Sequence, residues 1–114
     1  MTLKTETRYA IDPKTAKRLD TQGLREHFHK DGLFSKDEIN LIYTHYDRLI
    51  LGSIVPESAP LTLNHMPETG TAGFLDRREM GILNIGEVGT VEVDGITRTL
   101  EHGELLYIGM GSGA

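Results

Sequence analysis

The stretch Gly73–Gly95, GFLDRREMGILNIGEVGTVEVDG, limits what this chain can fold into more than any other. Met80–Ile85 is an apolar, β-branched run punctuated by glycine, and Thr90–Val93 alternates polar with apolar residues at period two, as a half-buried strand does. Between them Gly86-Glu87-Val88-Gly89 has glycine at both ends, which predicts a tight reversal using positive φ. Asp94-Gly95 is a hairpin signal, because a type I′ turn needs positive φ at both central residues. Strands are then expected at Ile96–Leu100 and, after the turn His102-Gly103-Glu104, at Leu105–Ile108. The glycines cluster after residue 70, which fits short strands and tight turns throughout the second half.

The first half reads differently. Met1–Tyr9 is expected to be an extended or mobile arm. Asp12 before Pro13 predicts a capped short helix over Thr15–Leu19. Thr21 would cap a second helix, Gln22–His29, that buries Leu24 and Phe28 at i, i+4 spacing and ends at Lys30-Asp31-Gly32. In Ser35–Ile50 the pattern Ser35-x-x-Glu38 matches a capping box, and Ile39, Ile42, Tyr43, Tyr46 and Ile50 sit at helical spacing. The β-branched and aromatic content of that stretch argues for strands instead. Pro56–Pro60 reads as a loop, Leu61–Leu63 as a possible edge strand, and Asn64–Thr71 as a second loop.

Bulk properties exclude several classes of function. With 114 residues the chain is one domain's worth or less. A net charge of −5 without a basic stripe argues against nucleic acid as a partner. The absence of cysteine removes disulfide and thiolate chemistry and fits a cytoplasmic location. The residues after Met1 lack the apolar core of a signal peptide, and no apolar run approaches the roughly 18–20 residues of a membrane span, so no membrane partner is expected.

Glu79, six intervening residues and Gly86 reproduce the back half of the first cupin motif, whose front half is normally His-x-His; Gly73–Arg78 contains no histidine. More narrowly, FLDRREMGILNIGEVGTVEVDG, together with LDTQGLREHF (Leu19–Phe28), YTHYDRLILGSIVP (Tyr43–Pro56) and LYIGMG (Leu106–Gly111), resembles the amino-terminal half of the 5-keto-4-deoxyuronate isomerase family. These stretches occur in the family's order and run over nearly the whole chain. The resemblance implies an all-β fold: a cupin-type double-stranded β-helix, the incomplete amino-terminal half of a two-cupin protein, with short amino-terminal helices. It divides the chain into an arm with short helices (1–32) and a partial first cupin barrel (33–114), and resolves Ser35–Ile50 into strands Glu38–Thr44 and Leu49–Ile54. The family is more than twice this long, so a fragment or truncated reading frame is expected, with unpaired strand edges prone to association.

The implied activity is that of a 4-deoxy-L-threo-5-hexosulose-uronate ketol-isomerase. Such an enzyme interconverts 5-keto-4-deoxyuronate and 3-deoxy-D-glycero-2,5-hexodiulosonate in pectin and galacturonate catabolism, as a cytoplasmic homo-oligomer acting on a small sugar acid. The family's zinc is held by histidines and a glutamate of the second cupin. The catalytic residues are therefore expected outside this chain, which is expected to bind no metal and to be inactive alone. The alternative is a non-catalytic sugar-acid-binding or oligomerisation module.

Side chains that could carry chemistry are few. His27 and His29 are spaced as His-x-His, but in a helix residues i and i+2 point about 200° apart and do not close on one ion. They read as solvated positions, as does His102 in its turn; His65 has no partner at ligand spacing. His45 reads as a buried or interface-facing histidine held by Asp47, ahead of a catalytic role, and Asp47-Arg48 as a salt-bridged turn. Arg77-Arg78-Glu79 is the charged cluster of the central stretch. One arginine could grip a uronate carboxylate through its guanidinium fork. An ion-paired patch at a strand edge or subunit contact is preferred, with Arg77 and Glu79 on one strand face and Arg78 on the other. Substrate or interface candidates are thus Arg77, Arg78, Glu79, His45, Asp47 and Arg48.

Overall fold

The computed structural model describes residues 2–63 and 66–113; His65, with Asn64, lies outside them. Its elements are β1 (Thr2–Arg8), α1 (Pro13–Ala16), α2 (Thr21–Phe28), β2 (Glu38–Thr44), β3 (Ile50–Ile54), a single 3₁₀ turn (Pro67–Thr69), β4 (Met80–Leu83), β5 (Gly89–Val93), β6 (Ile96–Leu100) and β7 (Leu105–Ile108). Strands in sheets dominate, with only two short α-helices among the described residues, so the fold is all-β. The chain forms two compact units, Met1–Thr62 and Leu63–Ala114.

The first unit is built on β2. It pairs in parallel with β1, Leu3 opposite Ile39, and antiparallel with β3, Leu41 opposite Gly52. A strand flanked on both sides is apolar on both faces, and Ile39, Leu41 and Ile42 are all buried here. The amino-terminal segment is accordingly the extended alternative, an edge strand. The capping-box pattern fails as a helix start for a local reason. Asp37 takes φ +57°, which interrupts a right-handed turn, and Ser35 Oγ accepts from Asn40 Nδ2 at 2.8 Å. The Asp37 carboxylate instead gathers the backbone N–H groups of Glu57 and Ser58, both at 2.8 Å, and the Ser58 hydroxyl, which hold its pKa below the ordinary value.

At the far end of β2, Asp47 and Arg48 both adopt positive φ, 54° and 55°, the signature of the reversal that leads into β3. Gly52 is required by proximity. A Cβ there would lie 2.8 Å from the Asn40 carbonyl oxygen and 2.5 Å from Leu41 Cδ2.

The helices depart from expectation in detail. α1 begins at Pro13, capped by Asp12 accepting the Thr15 N–H at 2.6 Å, and ends at Ala16 rather than Leu19. The cap of α2 is Asp20, not Thr21: its carboxylate accepts the Gly23 N–H at 2.8 Å. Leu24 and Phe28, expected to be buried, are 41% and 53% exposed.

In the second unit β5 and β6 form the expected hairpin, with Asp94 at φ 51° and Gly95 at φ 80°. The other predicted reversal differs. β4 pairs antiparallel with β7, not β5, with Met80 opposite Ile108 and Leu83 opposite Leu105. Neither Gly86 nor Gly89 has positive φ. The side chain of Asn84 makes the bend: its Oδ1 accepts the Gly86 N–H at 2.9 Å, and its Nδ2 donates to the Glu87 and Leu100 carbonyls at 2.8 Å each. Leu61–Leu63 forms no strand, and the loop before β4 contains the 3₁₀ turn. Met66, Phe74, Leu75, Leu100 and Ile108 are the buried apolar residues of this unit.

Because Ile39 is fully buried at the centre of the first sheet, Ile39→Ala is expected to lower the free energy of unfolding by about 2–5 kcal/mol. Denaturant titration followed by far-UV circular dichroism checks this.

Candidate functional site

The six sequence candidates fall into two groups, one in each unit. Arg77, Arg78 and Glu79 do not lie in a strand, since β4 begins only at Met80, so strict face alternation does not govern them. Arg77 and Glu79 are exposed and Arg78 is half-buried. Glu79 is engaged by Tyr107, whose hydroxyl donates to Oε2 at 2.6 Å. The pairing follows from register: Met80 faces Ile108, which brings Tyr107 and Glu79 onto neighbouring positions of the ladder. Ionising the phenol would set two negative charges side by side, so the hydrogen bond to Glu79 raises the Tyr107 pKa above its ordinary 10.0. Sequence reasoning missed Tyr107; the only signal was a lone hydroxyl in the apolar run Leu105–Ile108.

His45 stands just past β2 and is exposed, not buried. Its ring stacks on Tyr9 with centroids 4.5 Å apart and planes 15° from parallel, and meets Tyr43 edge-on at 5.3 Å. Its backbone N–H donates to the Arg8 carbonyl at 2.9 Å. The partners of this imidazole are therefore aromatic rings rather than the Asp47 carboxylate. Asp47 and Arg48 form the reversal already described. On the same unit Glu6 accepts from both Arg8 and Lys30. Partial burial pushes the Glu6 carboxyl up, but the Arg8 hydrogen bond and the two positive charges outweigh it and leave the pKa lowered.

The other histidines are dispersed. His27 lies on α2 and His29 is that helix's C-cap. The His102 ring nitrogen Nδ1 is 3.0 Å from the Gly86 carbonyl oxygen. A carbonyl only accepts, so Nδ1 carries the proton. No group of three or more His, Cys, Asp or Glu side chains able to hold a metal ion occurs among the described residues. A structural zinc ion takes four such donors in a tetrahedron and a catalytic one three with an open position. Of the described carboxylates, Glu79 has one oxygen committed to a phenol.

A groove of about 200 Å³ lies in the second unit, lined by residues that include Val91, Val93, Ile96, Arg98 and Ile108. Small-molecule sites usually enclose roughly 300–1,000 Å³. None of the candidate residues lines it. No described helix is long and apolar enough to cross a membrane.

The Glu79–Tyr107 contact makes a spectroscopic prediction. Glu79→Gln removes the charge that opposes phenolate formation, so the Tyr107 ionisation should move to lower pH. Ultraviolet titration near 295 nm (about the phenolate band) of wild type, Glu79→Gln and Tyr107→Phe reads this directly.

No family model matches the chain. Curated relatives do. The 4-deoxy-L-threo-5-hexosulose-uronate ketol-isomerase of Agrobacterium fabrum is 57% identical over 112 residues, covering 98% of this chain and 41% of the relative. The enzyme of that name from Cereibacter sphaeroides is 55% identical, covering 95% of this chain and 39% of its own length. That of Formosa agariphila is 51% identical, with 98% and 40% covered. The chain spans about two fifths of the length of the curated relatives it matches. Over that span, it belongs to the 4-deoxy-L-threo-5-hexosulose-uronate ketol-isomerase family.

Proposed function

We propose that this chain serves as the amino-terminal, metal-free part of a ketol-isomerase acting on 4-deoxy-L-threo-5-hexosulose uronate. The observation that carries the reading is 57% identity sustained over 98% of the chain to a relative of that name. In this reading the chain forms part of a first cupin barrel, and the protein works as a cytoplasmic homo-oligomer in the breakdown of pectin-derived uronates. An aldose–ketose shift moves hydrogen between adjacent carbons, which needs a base in reach of the C–H bond and a group that holds the developing oxyanion. Within neither unit do the exposed candidates among the described residues form such a convergent set. The reaction's base and its zinc ligands are accordingly assigned to sequence outside it, and this part supplies walls and contacts.

Two measurements test the reading. The purified chain should contain no stoichiometric zinc by inductively coupled plasma analysis, and it should give no isomerase turnover. Turnover by the chain alone would overturn the assignment of the chemistry to other residues.

Arg77 favours a second reading, a non-catalytic sugar-acid-binding module. It is exposed, and no carboxylate among the described residues forms an ion pair with it. A free guanidinium fork matches a uronate carboxylate. Under this reading calorimetric titration with a uronate gives binding that Arg77→Ala weakens about tenfold or more, the scale of losing one charge-assisted hydrogen bond. Equal binding by the variant discards it.

A further inference from the structure

The β5–β6 hairpin sorts its residues by side with one exception. Register puts Thr90, Glu92, Thr97 and Thr99, all polar, on one side. The other side carries Val91, Val93, Ile96 and Leu100, all apolar, together with Arg98, which stands directly opposite Val91. An antiparallel pair with one face toward water alternates cleanly, so an arginine on the apolar side breaks the pattern. No partner within the chain accounts for it: the Arg98 guanidinium forms no ion pair or hydrogen bond with a described residue. Arg98 lines the groove of about 200 Å³ with Val91, Val93 and Ile96 and, from β7, Leu106 and Ile108. Ile108 is buried and Val91, Val93 and Leu106 are half-buried, whereas Arg98 is exposed. The apolar lining is thus the sheltered part of the groove, and the charge stays in water, as it does when an arginine lays its stem along apolar surface.

We infer that this groove is a binding site for a small organic monocarboxylate, its carboxylate on Arg98 and its carbon body against Val91, Val93 and Ile96. Charge complementarity selects the head group, because a guanidinium fork matches a carboxylate through two parallel hydrogen bonds. The lining selects the body: hydroxyl groups set against valine and isoleucine would lose water without gaining a partner, so an aliphatic acid fits better than a sugar acid. Asp94 selects against a second negative charge. It lines the groove at the turn end, its Oδ1 accepts the Gly113 N–H at 2.9 Å, and it makes no ion pair with Arg98. The volume, below the roughly 300–1,000 Å³ of sites for larger ligands, restricts the body to a few carbons. The site is separate from Arg77 and from any isomerase chemistry, so it does not depend on the proposed function.

The test is a titration of the isotope-labelled chain, read residue by residue from its amide NMR spectrum, with hexanoate as the probe. Hexanol supplies the same body without the charge, inorganic phosphate the charge without the body, and galacturonate a hydroxylated acid. Hexanoate should shift the amides of Val91, Val93, Ile96 and Arg98 saturably, and hexanol should bind at least about tenfold more weakly, the scale of losing a charge-assisted hydrogen bond. Arg98→Gln, a change at an exposed position, should weaken hexanoate by a similar factor, and Arg77→Ala should leave it unchanged. The comparison of hexanoate with hexanol is made on the wild-type chain, so it stands even where a variant folds poorly. Equal binding of the acid and the alcohol, or no saturable shift at these residues, overturns the proposal. Phosphate or galacturonate binding there as tightly as hexanoate overturns the apolar body. An inward charge can also serve to keep strand edges from pairing. Self-association by Arg98→Gln in sedimentation, without any loss of hexanoate binding, would give Arg98 that role and remove it from a ligand site.

Discussion

The structure of the first unit depends on one condition: both edges of β2 are hydrogen-bonded. β1 occupies one edge and β3 the other, so every ladder position from Ile39 to Tyr43 has partners on both sides. A buried backbone polar group left unpaired costs about 1–3 kcal/mol, and β2 carries the residues that this pairing allows to be buried, Ile39, Leu41 and Ile42. The amino-terminal segment is what closes the second edge. Leu3 meets Ile39 and Arg8 meets Thr44, and Lys4 reaches the Glu38 carboxylate at 2.7 Å. That ion pair is partly solvated and adds little by itself; the ladder does the holding.

The second unit solves a related problem with a side chain. Two strand pairs, β4–β7 and β5–β6, must be joined without the reversal that a β4–β5 hairpin would have provided. Asn84 spans the junction, because its amide can donate twice and accept once from one position. It ties the bend at Gly86 and Glu87 to the end of β6 at Leu100. Its main chain is bonded as well, to Glu104 and Gly103 across the turn into β7. Three segments of chain therefore meet on one residue.

Much of this was legible in the sequence and some was not, for identifiable reasons. Period-two alternation gave β5, and Asp94-Gly95 gave its turn, because both signals are local and a type I′ turn admits few residue pairs. Glu38–Thr44 carried two conflicting local signals, and tertiary pairing decided between them: a strand with two partners outweighs a capping box whose next residue but one, Asp37, is driven left-handed. The burial of Leu24 and Phe28 was misread because i, i+4 spacing says that two side chains share a face, not that anything covers it. The Glu79–Tyr107 contact was illegible for another reason. It depends on β4 pairing with β7, a long-range register that no local pattern encodes.

The same distinction separates the candidate residues from a working centre. A catalytic metal site needs several donors from different strands aimed at one point, so it is the most register-dependent feature a β fold can carry. Several donors already have a local engagement: Glu79 with Tyr107, His45 between Tyr9 and Tyr43, His102 against the Gly86 carbonyl, Asp37 with the Glu57–Ser58 backbone. Breaking any of them to bind an ion would sacrifice a hydrogen bond or a ring contact worth about 0.5–1.5 kcal/mol before the remaining ligands were found. The polar side chains named here are thus spent on holding turns and strand ends, while large apolar side chains, Leu83, Leu105 and Tyr107 among them, remain exposed.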